Sequence, residues 1–180
     1  MGRKTISIVV PAAIAFAVVL TVARADAGPA AATVPAVAAA PSLDPQTPLA
    51  AWPAEPVLPL PWDVFHTRPA DEPTVVHVAS DGRFLYVRFD ATQREPAVAT
   101  QHSNDTVTGG SQGNGGGLSW SSDDAVWVDL WPTGTTGFQY QFEANPNGSH
   151  NESSTENSAF APQWESHGAI HAGGYTVTMA

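Results

Sequence analysis

Apolar and polar residues alternate with a period of two in stretch after stretch of this 180-residue chain, and that period commits it to half-buried β-strands. In residues 138–145 (FQYQFEAN), Phe138, Tyr140 and Phe142 oppose Gln139, Gln141 and Glu143. In residues 83–91, Leu85, Val87 and Phe89 share one face, and Phe84, Tyr86, Arg88 and Asp90 the other. Residues 74–80 put Val76 and Val78 on a third strand. Residues 124–131 set Val126, Val128 and Leu130 against Trp127, Asp129 and Trp131, and residues 174–180 align Tyr175, Val177 and Met179. The joints carry reversal chemistry: Ser80-Asp81-Gly82, Pro132-Thr133-Gly134, Asn145-Pro146-Asn147-Gly148 and Gly173-Gly174. Short strands with regular turns predict an all-β fold, an antiparallel β-sandwich of jelly-roll-like form. Residues 109–117 (GGSQGNGGG) form the longest glycine run and predict a moving loop just before Trp120.

The N-terminus is of another kind. Arg3 and Lys4 precede an apolar run over residues 6–22, followed by Ala25-Asp26-Ala27, the pattern of a secretory signal peptide over residues 1–27. Residues 28–48 are rich in Ala, Pro and Val, which predicts an extended or disordered linker, with the folded domain over residues 49–180. Removal of residues 1–27 leaves four arginines against sixteen carboxylates, a formal charge of −12. So acidic a surface repels phosphate backbones, which excludes nucleic acid as a partner. The chain has no cysteine, so neither disulfides nor thiolate metal sites hold it, and stability must come from the core.

Taken in order, LYVRFDA (85–91), SSDDAVWVDL (121–130), GFQYQFEANPNG (137–148) and WESHGAIHAGGYTVTMA (164–180) resemble the successive strands of family 9 carbohydrate-binding modules. They are closest to the modules at the front of large exported bacterial proteins that end in a membrane-associated barrel. The resemblance covers roughly residues 48–180 and rests on the ordered series of motifs. It implies a β-sandwich that stacks sugars on aromatic rings, often with a structural calcium ion, and does no chemistry itself. It also implies a further C-terminal portion beyond the TVTMA strand and membrane association through a barrel domain; a sandwich lacking that portion exposes unpaired edge backbone, which predicts poor solubility. Two departures stand out: Trp127 and Thr178 occupy positions where many members carry glutamate.

A sugar ring offers an apolar C–H face and a rim of hydroxyls, so its site needs an aromatic plane edged by carboxylates or amides. Trp120 is the first candidate for that plane. Trp127 and Trp131, beside Asp129, form either an aromatic stripe or part of the core. Gln139, Gln141, Glu143 and Asn145 lie on the polar face of the neighbouring strand and are hydroxyl partners or simply a solvated face. Trp52, Trp62 and Trp164 read as packing residues. The resemblance puts calcium at Asp123 and Asp124, hard oxygen donors suited to that ion. His167 and His171 are four apart, a weak metal signal.

The leading expectation is an exported carbohydrate-binding module of a larger carbohydrate-processing protein. The alternatives are a structural module of an outer-membrane barrel protein and an accessory domain of a glycoside hydrolase. Glycoside hydrolysis by this chain would need two carboxylates roughly 5–9.5 Å apart, and no spacing singles out a pair among Asp123, Asp129 and Glu143. No Gly-x-Ser-x-Gly or His-Glu-x-x-His motif is present. Any hydrolysis is therefore expected of a partner domain.

Overall fold

A computed structural model describes residues 3–10, 19–21, 32–62, 69–104, 123–132, 139–157 and 159–180, with residues 3–10, 19–21 and Trp62 described as backbone only. The described residues form ten strands: β1 (Arg3–Val10), β2 (Val19–Thr21), β3 (Val57–Trp62), β4 (Pro69–Ser80), β5 (Leu85–Thr92), β6 (Ala125–Pro132), β7 (Tyr140–Ala144), β8 (His150–Ser154), β9 (Ser166–His171) and β10 (Gly174–Met179). Among the described residues there is no α-helix, only a 3-10 turn at Leu49–Ala51. The all-β sandwich expected from the alternation is the fold observed.

One sheet is antiparallel in the order β3-β4-β5-β10-β9. Its edge strand β3 contains Pro59 and Pro61, which lack the N–H a central strand must donate on both sides. Its interior strand β10, between β5 and β9, has all six residues buried. The second sheet has the antiparallel trio β6-β7-β8, with β1 running parallel beside β6 and β2 antiparallel beyond it. The segment that reads as a leader thus lies along the β6 edge, pairing Arg3 with Ala125 through Val10 with Pro132.

The core lies between the sheets. Val76 and Val78 of β4, Val87, Phe89 and Ala91 of β5, and Tyr175, Val177 and Met179 of β10 pack with Val126 and Val128 of β6 and Ala144 of β7. These are the faces that the period of two assigns inward. Each fully buried aliphatic or aromatic side chain contributes roughly 1.5–3 kcal/mol of transfer free energy, which is how a chain without disulfides holds two sheets together.

Residues 32–52 lie on the sandwich, in contrast to the loose tether that composition suggests for residues 28–48. Val34 is buried in the main core, Val37 and Leu43 pack with Trp52, Ala79 and Tyr86, and Trp52 is itself buried. Ser80 donates its N–H to the Pro35 carbonyl at 3.0 Å and accepts from the Val37 N–H at 2.8 Å. Farther along, the Arg88 guanidinium donates to the Thr47 carbonyl at 2.9 Å, and the Thr178 hydroxyl donates to the Leu43 carbonyl. The prolines keep the segment extended, and its few apolar side chains each find a hollow on the sheet. This segment therefore covers much of the outer face of β4, β5 and β10.

The two sheets also meet through backbone. A Cβ on Gly168 of β9 would lie 2.3 Å from the Pro146 carbonyl oxygen and 2.6 Å from the Gly148 nitrogen. Only glycine permits this approach between β9 and the β7–β8 turn.

Candidate functional site

The other outer face of the sandwich belongs to β6-β7-β8. Cross-strand register sets two rows there. Trp127 faces Glu143, which faces Asn151; Asp129 faces Gln141, which faces Ser153. The inward residues between them, Val126, Val128, Phe142 and Ala144, belong to the core. Trp127, Asp129, Gln141 and Glu143, four of the candidates taken from the sequence, are thus brought onto one surface.

That surface is polar but not open. Glu143 is 2%, Asp129 6% and Asn151 7% exposed, although all three point away from the apolar core, while Trp127 and Gln141 are half-buried. Gln141 donates its amide to the Asp129 carboxylate at 2.9 Å. Burial pushes the Asp129 carboxyl above the usual carboxylate range, and amide hydrogen bonds from Gln141 and Gln139 pull the other way. Carboxylates withdrawn from water at a non-core face are the groups a ligand hydroxyl can bind most strongly, because water competes less there. Asn151 and Ser153 were not singled out as site residues from sequence. The signal was present in HNESS, whose odd-numbered members extend the polar rows onto β8.

Trp131, on the same face by alternation, is half-buried near the end of β6, beyond the last β6–β7 pair. Trp120 lies outside the described residues. Trp52 and Trp164 pack as expected. The Trp164 indole sits 4.2 Å from the His150 ring, meets Phe142 edge-on at 5.2 Å, and donates its N–H to Glu152 at 2.8 Å.

Asn145 follows the parity of Gln141 and Glu143 but serves another purpose. It is fully buried; its amide nitrogen donates to Asp123 at 2.8 Å and to the Gln101 carbonyl at 3.0 Å. Its oxygen accepts from the backbone N–H groups of Asn147 and Ser149, both at 3.0 Å. Nothing of the amide is left for a ligand. Asp123 is equally committed. One carboxylate oxygen accepts from the Thr100 N–H at 2.8 Å and its hydroxyl at 2.7 Å, the other from the Gln101 N–H at 3.0 Å and Asn145. Burial raises the Asp123 carboxyl's pKa, but these bonds outweigh it and hold the group below the usual carboxylate range. Asp124 accepts from the Gln93 amide and the Val98 N–H, both at 2.8 Å.

Asp123 does not fit a calcium site. A cation needs oxygen lone pairs turned toward it, whereas four donors already converge on Asp123. Asp123 and Asp124 tie residues 93–101 to the start of β6. Among the described residues no group of three or more His, Asp or Glu is placed to share a metal. His167 and His171 sit on β9 opposite Thr178 and Gly174, about 13 Å apart at the usual strand rise, too far to share an ion.

Thr178, where the resemblance expects glutamate, lies on the other sheet beneath Leu43. Its identity does not bear on the β6-β7-β8 face. Fold and site together define a two-sheet sandwich with much of one outer face covered by its own N-terminal segment and the other carrying an aromatic beside withdrawn acids and amides. No family model matches the chain, and no curated protein or solved structure matches it either.

Proposed function

We propose that this chain is an exported carbohydrate-binding module that docks a poly- or oligosaccharide on the outer face of β6-β7-β8. The observation that carries the reading is the double row in which Trp127 lies beside Glu143 and Asp129 beside Gln141. Trp127 supplies the plane for the C–H face of a sugar ring, at about 0.5–1.5 kcal/mol per stacked pair by analogy with aromatic contacts. Asp129 and Glu143, diagonal neighbours about 7–8 Å apart across the pair of strands, accept hydroxyl hydrogens, and Gln141 and Asn151 supply donors. Hydrogen bonds to charged acceptors add about 1.5–3 kcal/mol each where water is displaced cleanly.

Export rests on the leader pattern of residues 1–27, and release of that leader would bare the β6 edge next to the site. Among the described residues no helix is long and apolar enough to cross a membrane. In this reading the module serves carbohydrate catabolism by holding substrate near a partner domain, which performs any hydrolysis.

The test is a glycan array and soluble-sugar titration of the purified chain, with and without calcium, beside Trp127→Ala and Glu143→Gln. Binding that falls about tenfold or more in both variants, without calcium dependence, supports the reading. A folded chain that binds no glycan sinks it and leaves a structural module of a larger assembly.

A further inference from the structure

A second aromatic surface lies on the opposite sheet, beside Leu43 of the covering segment. A cleft of about 560 Å³ opens there, walled by Leu43, Phe84, Tyr86, Gln163, Trp164 and Glu165. This falls inside the range of roughly 300–1,000 Å³ of small-molecule sites. Phe84 is 44% exposed, among the largest exposures of any apolar side chain described.

Phe84 does not owe its position to chance packing. Asp81 accepts the N–H groups of Arg83 and Phe84 at 2.8 and 2.9 Å on one oxygen and the Tyr86 hydroxyl at 2.8 Å on the other. Gly82 takes a φ of 86° to close the turn. The Arg83 guanidinium lies 5.7 Å over the Phe84 ring, and the Tyr86 ring is 6.3 Å away at 52°. Trp164 is held by Glu152, His150 and Phe142. Two aromatics are thus fixed before any ligand arrives, so binding costs little side-chain ordering.

We infer that this cleft is a second carbohydrate subsite, taking a neutral disaccharide unit with one ring against Phe84 and its hydroxyls on Gln163 and Glu165. The walls carry an acid and an amide beside apolar surface, the complement of a sugar's hydroxyl rim and C–H face. Neutral sugars are favoured over uronic acids because Glu165 stands in the cleft and the whole chain carries a formal charge of −10. This site is separate from the β6-β7-β8 face and does not depend on it. With both sites, one module would bind a polysaccharide at two places and gain avidity.

The experiment is amide chemical-shift mapping of the full chain with cellobiose, xylobiose and chitobiose as probes, and digalacturonic acid as the acidic control. Shifts at residues 83–86 and 163–165 are expected with at least one neutral probe and not with the acidic one. Phe84→Ala should weaken that binding about tenfold, Phe84→Trp should retain it, and Trp127→Ala should leave it unchanged. Because Phe84 is exposed, its replacement leaves the core intact. No shift at these residues with any neutral probe up to its solubility limit, or an unaltered response in Phe84→Ala, would overturn the inference. A loss in Trp127→Ala alone would instead place all sugar binding on the other sheet.

Discussion

Asn145 donates its side-chain amide to the Asp123 carboxylate at 2.8 Å, a bond that joins the β7–β8 turn to the residues leading into β6. Asp123→Asn would set an amide against the donors of Thr100, Gln101 and Asn145. The expected loss is about 2–3 kcal/mol, a buried set of charge-assisted bonds broken from one side. Because the folded carboxyl lies below its ordinary value, its contribution is complete above the usual carboxylate range and is lost as pH falls through the depressed value. Urea melts from pH 7 down to pH 2 should show that acid-side loss in the parent and a shallower one in Asp123→Asn.

Asp129 titrates with the opposite sign. Its folded pKa is raised by burial, so between the ordinary and the raised value the folded chain holds a proton that the unfolded chain lacks. Stability from this group rises as pH falls through that window. Asp129→Asn keeps an oxygen for the Gln141 amide and removes the buried charge. Its urea midpoint should exceed the parent's at pH 7, and the gap should narrow as pH falls, while sugar affinity drops about tenfold. An equal gap at every pH would refute the assignment.

Arg88 and Asp90 form a forked ion pair on β5, with Arg88 Nε 2.9 Å from one Asp90 oxygen and Nη2 3.0 Å from the other. A third bond runs from Arg88 to the Thr47 carbonyl. Lysine cannot reproduce that fork, so Arg88→Lys should cost about 2–4 kcal/mol. It should also loosen the covering segment, which hydrogen exchange at Val37 and Thr47 would detect.

Two glycines on turns separate conformational from steric cost. Gly82 has a φ of 86° but open space where a Cβ would stand, so Gly82→Ala should cost only about 1–2 kcal/mol. Gly174 has a φ of 154°, and a Cβ there would lie 1.9 Å from the Ala91 carbonyl oxygen. Gly174→Ala forces the β5 and β10 backbones apart and should cost more than about 3 kcal/mol. Thermal melts of the two variants check the order.

The alternation in residues 83–91, 124–131 and 138–145 determined, without any structure, that the chain is sheet and which side chains face inward. This works because a strand's period is local: side chains two apart must share a face wherever the strand lies. The same parity set Trp127, Asp129, Gln141 and Glu143 on the non-core side. It carried no information on how far a face stays open, since that depends on segments distant along the chain. Residues 32–52 closed much of one outer face with a handful of apolar contacts too sparse to register in composition. Asn145, alike in parity to Glu143, was taken by Asp123 across 22 residues of chain. Tertiary structure alone decided which polar groups were buried and which distant groups they were tied to.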